Sequence, residues 1–351
     1  MERVIEKTLR RIEPASEEWR EKAGGHIDNL VKPVGSLGRL EECVARIVAI
    51  QQTMKPSLEK KFIVLMAGDH GVVAEKVSLY PQEVTAKMVE NFVGGGAAIC
   101  VLARHAGAEV RVVDIGVAAD LQPADRLLIK KIGYGTKNFA KGAAMTREEA
   151  EKAVAIGIEL SRELGDAGAR TILTGDMGIG NTTPSTAVAA AITGIAPEEL
   201  AGRGTGLDDE GVARKAAVVR KGIEVNRPDP ADAIDVLAKV GGYEIAGLCG
   251  VILGACAEKM VTVVDGFIST AALLAAWRMQ PKVMDCIFSA HCSNERGHVR
   301  VLDFLGLRPL LDLDMRLGEG SGGAVALHIL EASIRMFNEM ASFGEAGVER
   351  K

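Results

Sequence analysis

The chain has 351 residues, 48% hydrophobic and 25% charged, with 42 basic and 47 acidic side chains and a formal net charge of −5. That length holds one large domain with a smaller companion, and the composition is ordinary for a soluble globular protein. The acidic balance and the 4% aromatic content argue against nucleic acid as a partner, which calls for a basic face or a stacking platform.

Reading from the N-terminus, no apolar stretch marks a signal peptide, and the first sixty residues read as helices. Leu40, Cys43, Val44, Ile47, Val48 and Gln51 fall on one helical face, bounded by Pro14 and by the Lys55-Pro56-Ser57 break. From Lys61 the pattern changes to short continuous apolar runs: Phe62–Met66, Val110–Ile115, Arg170–Thr174, Met260–Val264 and Val283–Phe288. Such runs, rich in Val and Ile and without alternation, predict buried parallel strands. A helix is predicted from Thr146 to Leu164, with Thr146 and Glu149 as a capping box and Gly165 as its C-terminal cap. Another is predicted from Pro184 to Ile192, with Pro184 at its first position, and a buried one over 324–343. Alternating strands and helices give an α/β fold with a mostly parallel sheet. The apolar stretch Ile245–Ala257 is too short for a bilayer, which needs about 20 residues, so no membrane contact is expected and the cytoplasm is the expected location. The six cysteines, Cys43, Cys100, Cys249, Cys256, Cys286 and Cys292, form no C-x-x-C pair. They predict neither a zinc site nor a disulfide framework.

Three glycine-rich loops carry the chemistry. The first, Thr174 to Ser185, includes Asp176, Gly178, Gly180 and Asn181 and runs from a predicted strand into a predicted helix. It is either an anion site built on a helix N-terminus or a plain tight turn. It is neither a P-loop nor a G-x-G-x-x-G fingerprint. The second, Gly202 to Gly211, holds Gly204 and is followed by Lys215, which is either a phosphate ligand or part of a solvated helix face. In the third, Glu319 stands between Gly318 and Gly320, just after Leu317. It is open to close approach by a substrate, and serves either as a catalytic carboxylate or as a helix cap. Upstream, Ser78, Leu79, Tyr80 and Gln82 form either a flat slot for a ring, with Gln82 bonding a ring nitrogen, or a loop that packs Tyr80 on the core. Asp69 and His70 suggest no metal site. Asp69 is expected to accept backbone amides at its turn and His70 to be a satisfied polar residue.

Taken in order, these pieces resemble the nicotinate-nucleotide–dimethylbenzimidazole phosphoribosyltransferases of cobalamin synthesis. The matching segments are Lys32–Glu41, Ala67–Val72, Tyr80–Gln82, Met88–Phe92, Gly94–Ala98, the three glycine loops and Val264–Thr270, spanning nearly the whole chain. The resemblance implies a Rossmann-like sheet flanked by helices over 61–320 and a small helical domain from 1–60 plus 321–351. It also implies a homodimer, no cofactor and no metal. The implied reaction moves the phosphoribosyl group of nicotinate mononucleotide onto 5,6-dimethylbenzimidazole, with Glu319 as the base. The same transfer to a purine or a phenol, or a non-catalytic nucleotide-binding protein, are the alternatives. The resemblance also implies that Lys215, Gly178, Gly204 and Ser293 hold the phosphate and that Ser78, Tyr80, Gln82 and Leu317 surround the base, with Asp265 another polar position nearby. One departure stands out: the family has Glu where this chain has Asp176, an acid one methylene shorter. The segment around Ser293, Phe288–His298, resembles the family only loosely.

Overall fold

The computed structural model describes residues 1–349. Six strands form one sheet: β1 (Lys61–Gly68), β2 (Ala108–Gly116), β3 (Leu127–Ile129), β4 (Thr171–Met177), β5 (Val261–Val264) and β6 (Ile287–Ser289). All pairings are parallel, in the order β3-β2-β1-β4-β5-β6. The chain starts in the middle at β1, builds outward through β2 and β3, then returns to place β4 on the other side of β1. That reversal leaves a crevice at the carboxyl ends of β1 and β4, where open parallel sheets hold their ligands. A minor pair, β7 (His291–Cys292) and β8 (Leu311–Asp312), lies beside it.

Fourteen α-helices surround the strands in the described residues. The first three are α1 (Glu2–Arg11), α2 (Glu17–Asn29) and α3 (Arg39–Gln51); α4 (Val84–Gly94) and α5 (Ala98–Ala106) lie between β1 and β2; α6 (Arg147–Asp166) precedes β4. Then come α7 (Thr182–Thr193), α8 (Pro197–Leu200), α9 (Asp209–Asn226), α10 (Ala233–Val240) and α11 (Tyr243–Ala257), followed by α12 (Phe267–Met279), α13 (Arg296–Leu305) and α14 (Ser321–Glu339). Strands β1, β4, β5 and β6 are buried on both faces, which is why they carry no alternation. Met66 meets Gly247 of α11 on one face, while Ile63 and Leu173 meet Gly320 and Gly323 at the start of α14 on the other.

Both chain ends meet. Leu30 and Ser342 form an antiparallel bridge, flanked by Val31 N–H to Ala341 O at 2.9 Å and Phe343 N–H to Asn29 O at 3.0 Å. Here α14 packs on α3, while α1 lies across α6 and α11. Residues 350 and 351 of the expected helical segment lie outside the described residues. The 23-residue stretch Val84–Ala106 matches a membrane span in length and hydropathy. Gly95, at φ +78, splits it into α4 and α5, each short of the roughly 20 residues a bilayer requires.

Several element boundaries differ from the sequence reading. The Thr146–Glu149 capping box is present, but α6 runs on past Gly165. Gly168, at φ +90, takes the left-handed turn, with Gly168 N–H bonding Gly165 O and Ala169 N–H bonding Leu164 O, the paired bonds of a Schellman motif. Helix α7 starts at Thr182, so Pro184 is its third residue; that costs nothing, because the first amides of a helix have no partner within it. The run Val283–Phe288 is a strand only from Ile287, since Pro281 opens a 3-10 helix over Pro281–Cys286. The strand Leu127–Ile129 has no counterpart in the sequence reading.

The tightest packing is between α6 and α11, where glycine lets two backbones touch. A Cβ at Gly157 would overlap Gly247 O and lie 2.6 Å from Val251 N, and one at Gly254 would lie 2.7 Å from the Ser161 Cβ. By contrast Gly24 and Gly25 on α2 have nothing within 4 Å of a built Cβ. Gly157→Ala is therefore expected to destabilise by about 1–3 kcal/mol through overpacking. Gly24→Ala should instead stabilise by about 0.5–1 kcal/mol through helix propensity. Urea unfolding of both variants checks the two opposite signs.

Candidate active site

The crevice at the sheet reversal opens into a cavity of about 480 Å³, a size that suits a small organic ligand. Its wall brings together Ser78, Tyr80, Asp176, Gly178, Gly180, Asn181, Gly204, Ser293, Leu317 and Glu319 from separate segments of the chain. The sequence-predicted residues Leu79, Gln82, Lys215 and Asp265 lie outside that wall. Leu79 points outward and is 62% exposed. Lys215 and Asp265 sit directly behind the lining, fully buried.

Glu319 is held by backbone geometry. Gly318, Glu319 and Gly320 are three consecutive left-handed residues, at φ +82, +63 and +91. For a residue with a side chain this costs roughly 1–3 kcal/mol, so surrounding contacts have to impose it. They come from Asp265 at the end of β5, whose Oδ2 accepts from Gly320 N–H at 3.1 Å and whose Oδ1 accepts from Gly323 N–H at 2.9 Å. The cap of α14 is thus Asp265, and the Glu319 side chain is free for another use. Its Oε2 accepts from Ile99 N–H at 3.4 Å, in the first turn of α5. The helix terminus that touches this carboxylate is α5, in place of the expected α14. Burial raises the Glu319 pKa, the Ile99 amide works against that, and Asp265 adds to the rise.

Asp176 ends β4 beside Gly178. Its Oδ2 accepts from Asn181 Nδ2 at 3.0 Å, and its buried Oδ1 has no donor. Burial first, then the negative charges of Asp265 and Glu244, push its pKa well above the usual carboxylate value. Gly178 has to be glycine for a steric reason: a Cβ would overlap Gly68 O and lie 2.9 Å from His70 Nε2. Beneath it His70 Nε2 lies 2.9 Å from Glu244 Oε1. Burial pushes the His70 pKa down, but Glu244 and Asp69 more than reverse this and raise it. Asp69 accepts from Ala118 N–H at 2.8 Å, a backbone amide beyond β2 in place of the expected one at its own turn.

Behind the two glycine loops of the cavity wall lies a buried cation. Lys215 Nζ donates to Thr182 Oγ1 and Gly202 O, each at 3.0 Å. Burial pushes its pKa down to about 8, with Glu295 opposing. Ser293 N–H donates to His298 Nδ1 at 2.9 Å. His298 Nε2 therefore carries the proton toward Thr270 Oγ1, 2.9 Å away. This fixes the Ser293 main chain at the cavity edge. The wall also holds Val84, Met88, Met177, Ile179, Phe267 and Ile268, an apolar middle suited to flat rings. Ser78 Oγ sits 3.3 Å from Thr205 Oγ1 at the mouth, where Tyr80 and Leu317 are more than half exposed.

A family model described as Phosphoribosyltransferase matches residues 12–348. The chain belongs to this phosphoribosyltransferase family. It is 51% identical over 345 residues to the nicotinate-nucleotide–dimethylbenzimidazole phosphoribosyltransferase of Geobacter sp. (strain M21), covering 98% of this chain and 99% of the relative. It is 52% identical over 345 residues to the protein of the same name from Geobacter sulfurreducens, with 98% of each covered. The crystal structure of the nicotinate-nucleotide–dimethylbenzimidazole phosphoribosyltransferase of Thermus thermophilus superposes with a TM-score of 0.91 at 44% identity, covering 96% of this chain and 100% of that one.

Sequence reasoning missed several residues of this phosphoribosyltransferase's cavity: Val84, Met88, Thr205, Phe267, Glu295 and Arg316. Phe267 and Met88 fall within segments already singled out, so their apolar character was a usable signal. Glu295 and Arg316 also fall within such segments, but a single charged side chain in a loop gave no signal of its own.

Asp176 gives the prediction for this site. Asp176→Asn preserves shape and the Asn181 neighbour while removing a group that can ionise when a cationic ring binds, so turnover is expected to fall while stability stays within about 1 kcal/mol of wild type. Asp176→Glu should remain active. Because the folded pKa of Asp176 is raised, its stabilising contribution is present below the unfolded carboxyl value and is lost as pH rises through the folded one. Thermal melts across pH should therefore lose that component in Asp176→Asn. A large drop in Tm with normal turnover per folded molecule would make Asp176 a structural residue only.

Proposed function

We propose that this chain transfers the phosphoribosyl group of nicotinate mononucleotide to 5,6-dimethylbenzimidazole, releasing nicotinate and α-ribazole 5′-phosphate, with Glu319 as the catalytic base. One observation carries the reading: a single, largely apolar cavity is lined by the buried Glu319 carboxylate and by two glycine loops, with the buried Lys215 ammonium directly behind those loops. The phosphate end is read as Lys215, Gly178, Gly204 and Ser293, with Gly180 and Asn181 completing the first loop. The ring end is read as Ser78, Tyr80, Leu317 and the apolar middle, with Leu79 and Gln82 at its outer edge.

The chemistry follows from that polarity. The bond between C1′ and the pyridinium nitrogen breaks, and its electron pair neutralises the ring, so nicotinate leaves as a stable molecule. C1′ becomes cation-like as the bond stretches. One benzimidazole nitrogen forms the new bond from the opposite face, which inverts the anomeric centre. The attack acidifies the N–H of the other ring nitrogen, and the Glu319 carboxylate takes that proton. Burial raises the basicity of Glu319, which favours the transfer. The positive pyridinium and the developing positive charge at C1′ favour the ionised forms of Asp176 and Asp265, whose negative potential then stabilises that charge. Holding both substrates in one cavity supplies the orientational part of the rate.

The same reading takes 61–320 as the substrate-binding unit and 1–60 plus 321–351 as a helical companion, and it includes a homodimer in the cytoplasm. The exposed apolar side chains Val101, Leu313 and Val299 are compatible with a partner surface, and the oligomeric state in solution tests it.

Glu319→Gln is expected to keep fold and substrate binding but lose about 10²–10⁴-fold in kcat, the usual worth of a general base. Mass analysis of products from nicotinate mononucleotide with a panel of bases measures it and identifies the acceptor. Turnover near wild type would remove Glu319 from this role.

Lys215 has to be protonated to attract a phosphate, and it loses its proton as pH rises through about 8. Since kcat/KM reports free-enzyme ionisations, kcat/KM for nicotinate mononucleotide is expected to decline above that pH. Lys215→Ala should abolish the decline and weaken nicotinate mononucleotide far more than the free base. Equal weakening of both ligands by calorimetry would make Lys215 structural.

A further inference from the structure

Glu295 lines the cavity, yet the proposed chemistry gives it no part. It is 5% exposed and occupies the N-cap of α13 without capping it. Its Oε2 is buried with no hydrogen-bond donor. The carboxylate lies against the second glycine loop: a Cβ on Gly202 would overlap Oε2, and Gly202 O is an acceptor of the Lys215 ammonium. Burial raises the Glu295 pKa, while Lys215, the Gly204 amide and Arg316 all favour its ionised form. Arg316 is tied to the same loop by Nη1 to Gly204 O at 3.2 Å. The groups a phosphate in this corner would use therefore already surround a carboxylate.

We propose that Glu295 is a resident counter-anion of the phosphate subsite. In the unliganded protein it offsets the charge of Lys215 and occupies the loop amide. When a phosphate monoester enters the same corner, Glu295 opposes it as a like charge close by in a poorly solvated place. It thereby loosens the hold on phosphorylated substrate and phosphorylated product alike, and it sets how much of the affinity comes from the phosphate. The inference rests on the reading of the Lys215 end as the phosphate site.

The test is calorimetric titration of the full chain with three probes: inorganic phosphate, the riboside of nicotinate lacking phosphate, and dimethylbenzimidazole. Glu295→Gln is expected to bind inorganic phosphate roughly tenfold more tightly, the scale of one pKa unit of interaction. The riboside and the base should bind as they do to wild type. Glu295→Ala should behave as Glu295→Gln does, and serves if the Gln variant does not fold; Glu295→Asp, which keeps the acid, should stay near wild type. Phosphate affinity unchanged or weaker in both acid-free variants, with Lys215→Ala still losing phosphate, would overturn the counter-anion role and leave the phosphate end intact. Loss of riboside binding would assign Glu295 to the ribose hydroxyls and overturn it equally. Normal phosphate binding by Lys215→Ala would sink both readings.

Discussion

The site depends on one buried carboxylate that need not touch substrate. Asp265 ends β5 and receives the Gly320 and Gly323 amides at the head of α14. A negative charge at a helix N-terminus is favourable, and burial makes the bonds stronger than they would be in water. Those two bonds hold the loop in the left-handed path that Glu319 could not keep alone. They also tie it to the sheet, since Asp265 N–H in turn bonds Thr174 Oγ1 at 3.2 Å. The carboxylate proposed for chemistry is thus positioned by a second carboxylate whose hydrogen bonds go to backbone amides.

Around this tie the protein gathers more negative charge than it neutralises locally. Asp69, Asp176, Glu244, Asp265 and Glu319 are all at least nine-tenths buried, with His70 and His291 the nearby imidazoles. Isolated buried charges are costly, and proteins meet the cost by raising pKa values or by pairing. Here the raised pKa values of Asp176 and Glu319 record a floor left partly unpaired. Such a floor complements a cationic ring held above it. The apolar middle keeps water from screening it, so the sheet reversal, the glycine turns and the acids serve one electrostatic end.

Much of this was legible in sequence where the determinants are local. The apolar runs gave the strands because strands buried on both faces need no alternation. Thr146 and Glu149 gave the start of α6 because a capping box spans only four residues. Glu319 stood out because two glycines isolate it. What failed was set by distant partners. Gly165 reads as the cap of α6 in the sequence, and only the bonds around Leu164 place the left-handed turn at Gly168. His70 and Glu244 meet solely because β1 and α11 are packed together. Glu295 lies among residues that resemble the family only loosely, and its meaning comes from Gly202 and Lys215 on other segments. Leu79 is apolar and next to two lining residues, yet its backbone turns the side chain outward.

The bridge between Leu30 and Ser342 has a consequence for how the chain is made. Helices α2 and α3 leave the ribosome early, but the surface they dock against includes α14 and the strand-like segment 341–343. At about 5–20 residues per second, those early helices wait on the order of tens of seconds for their partner. During that interval the apolar side of α3, with Val44, Ile47 and Val48 fully buried in the finished protein, has no completed cover. The central strands can pair meanwhile, so the closing of this helical clasp waits for the segment 321–343. The same step sets α14 in place, and with it the loop that carries Glu319.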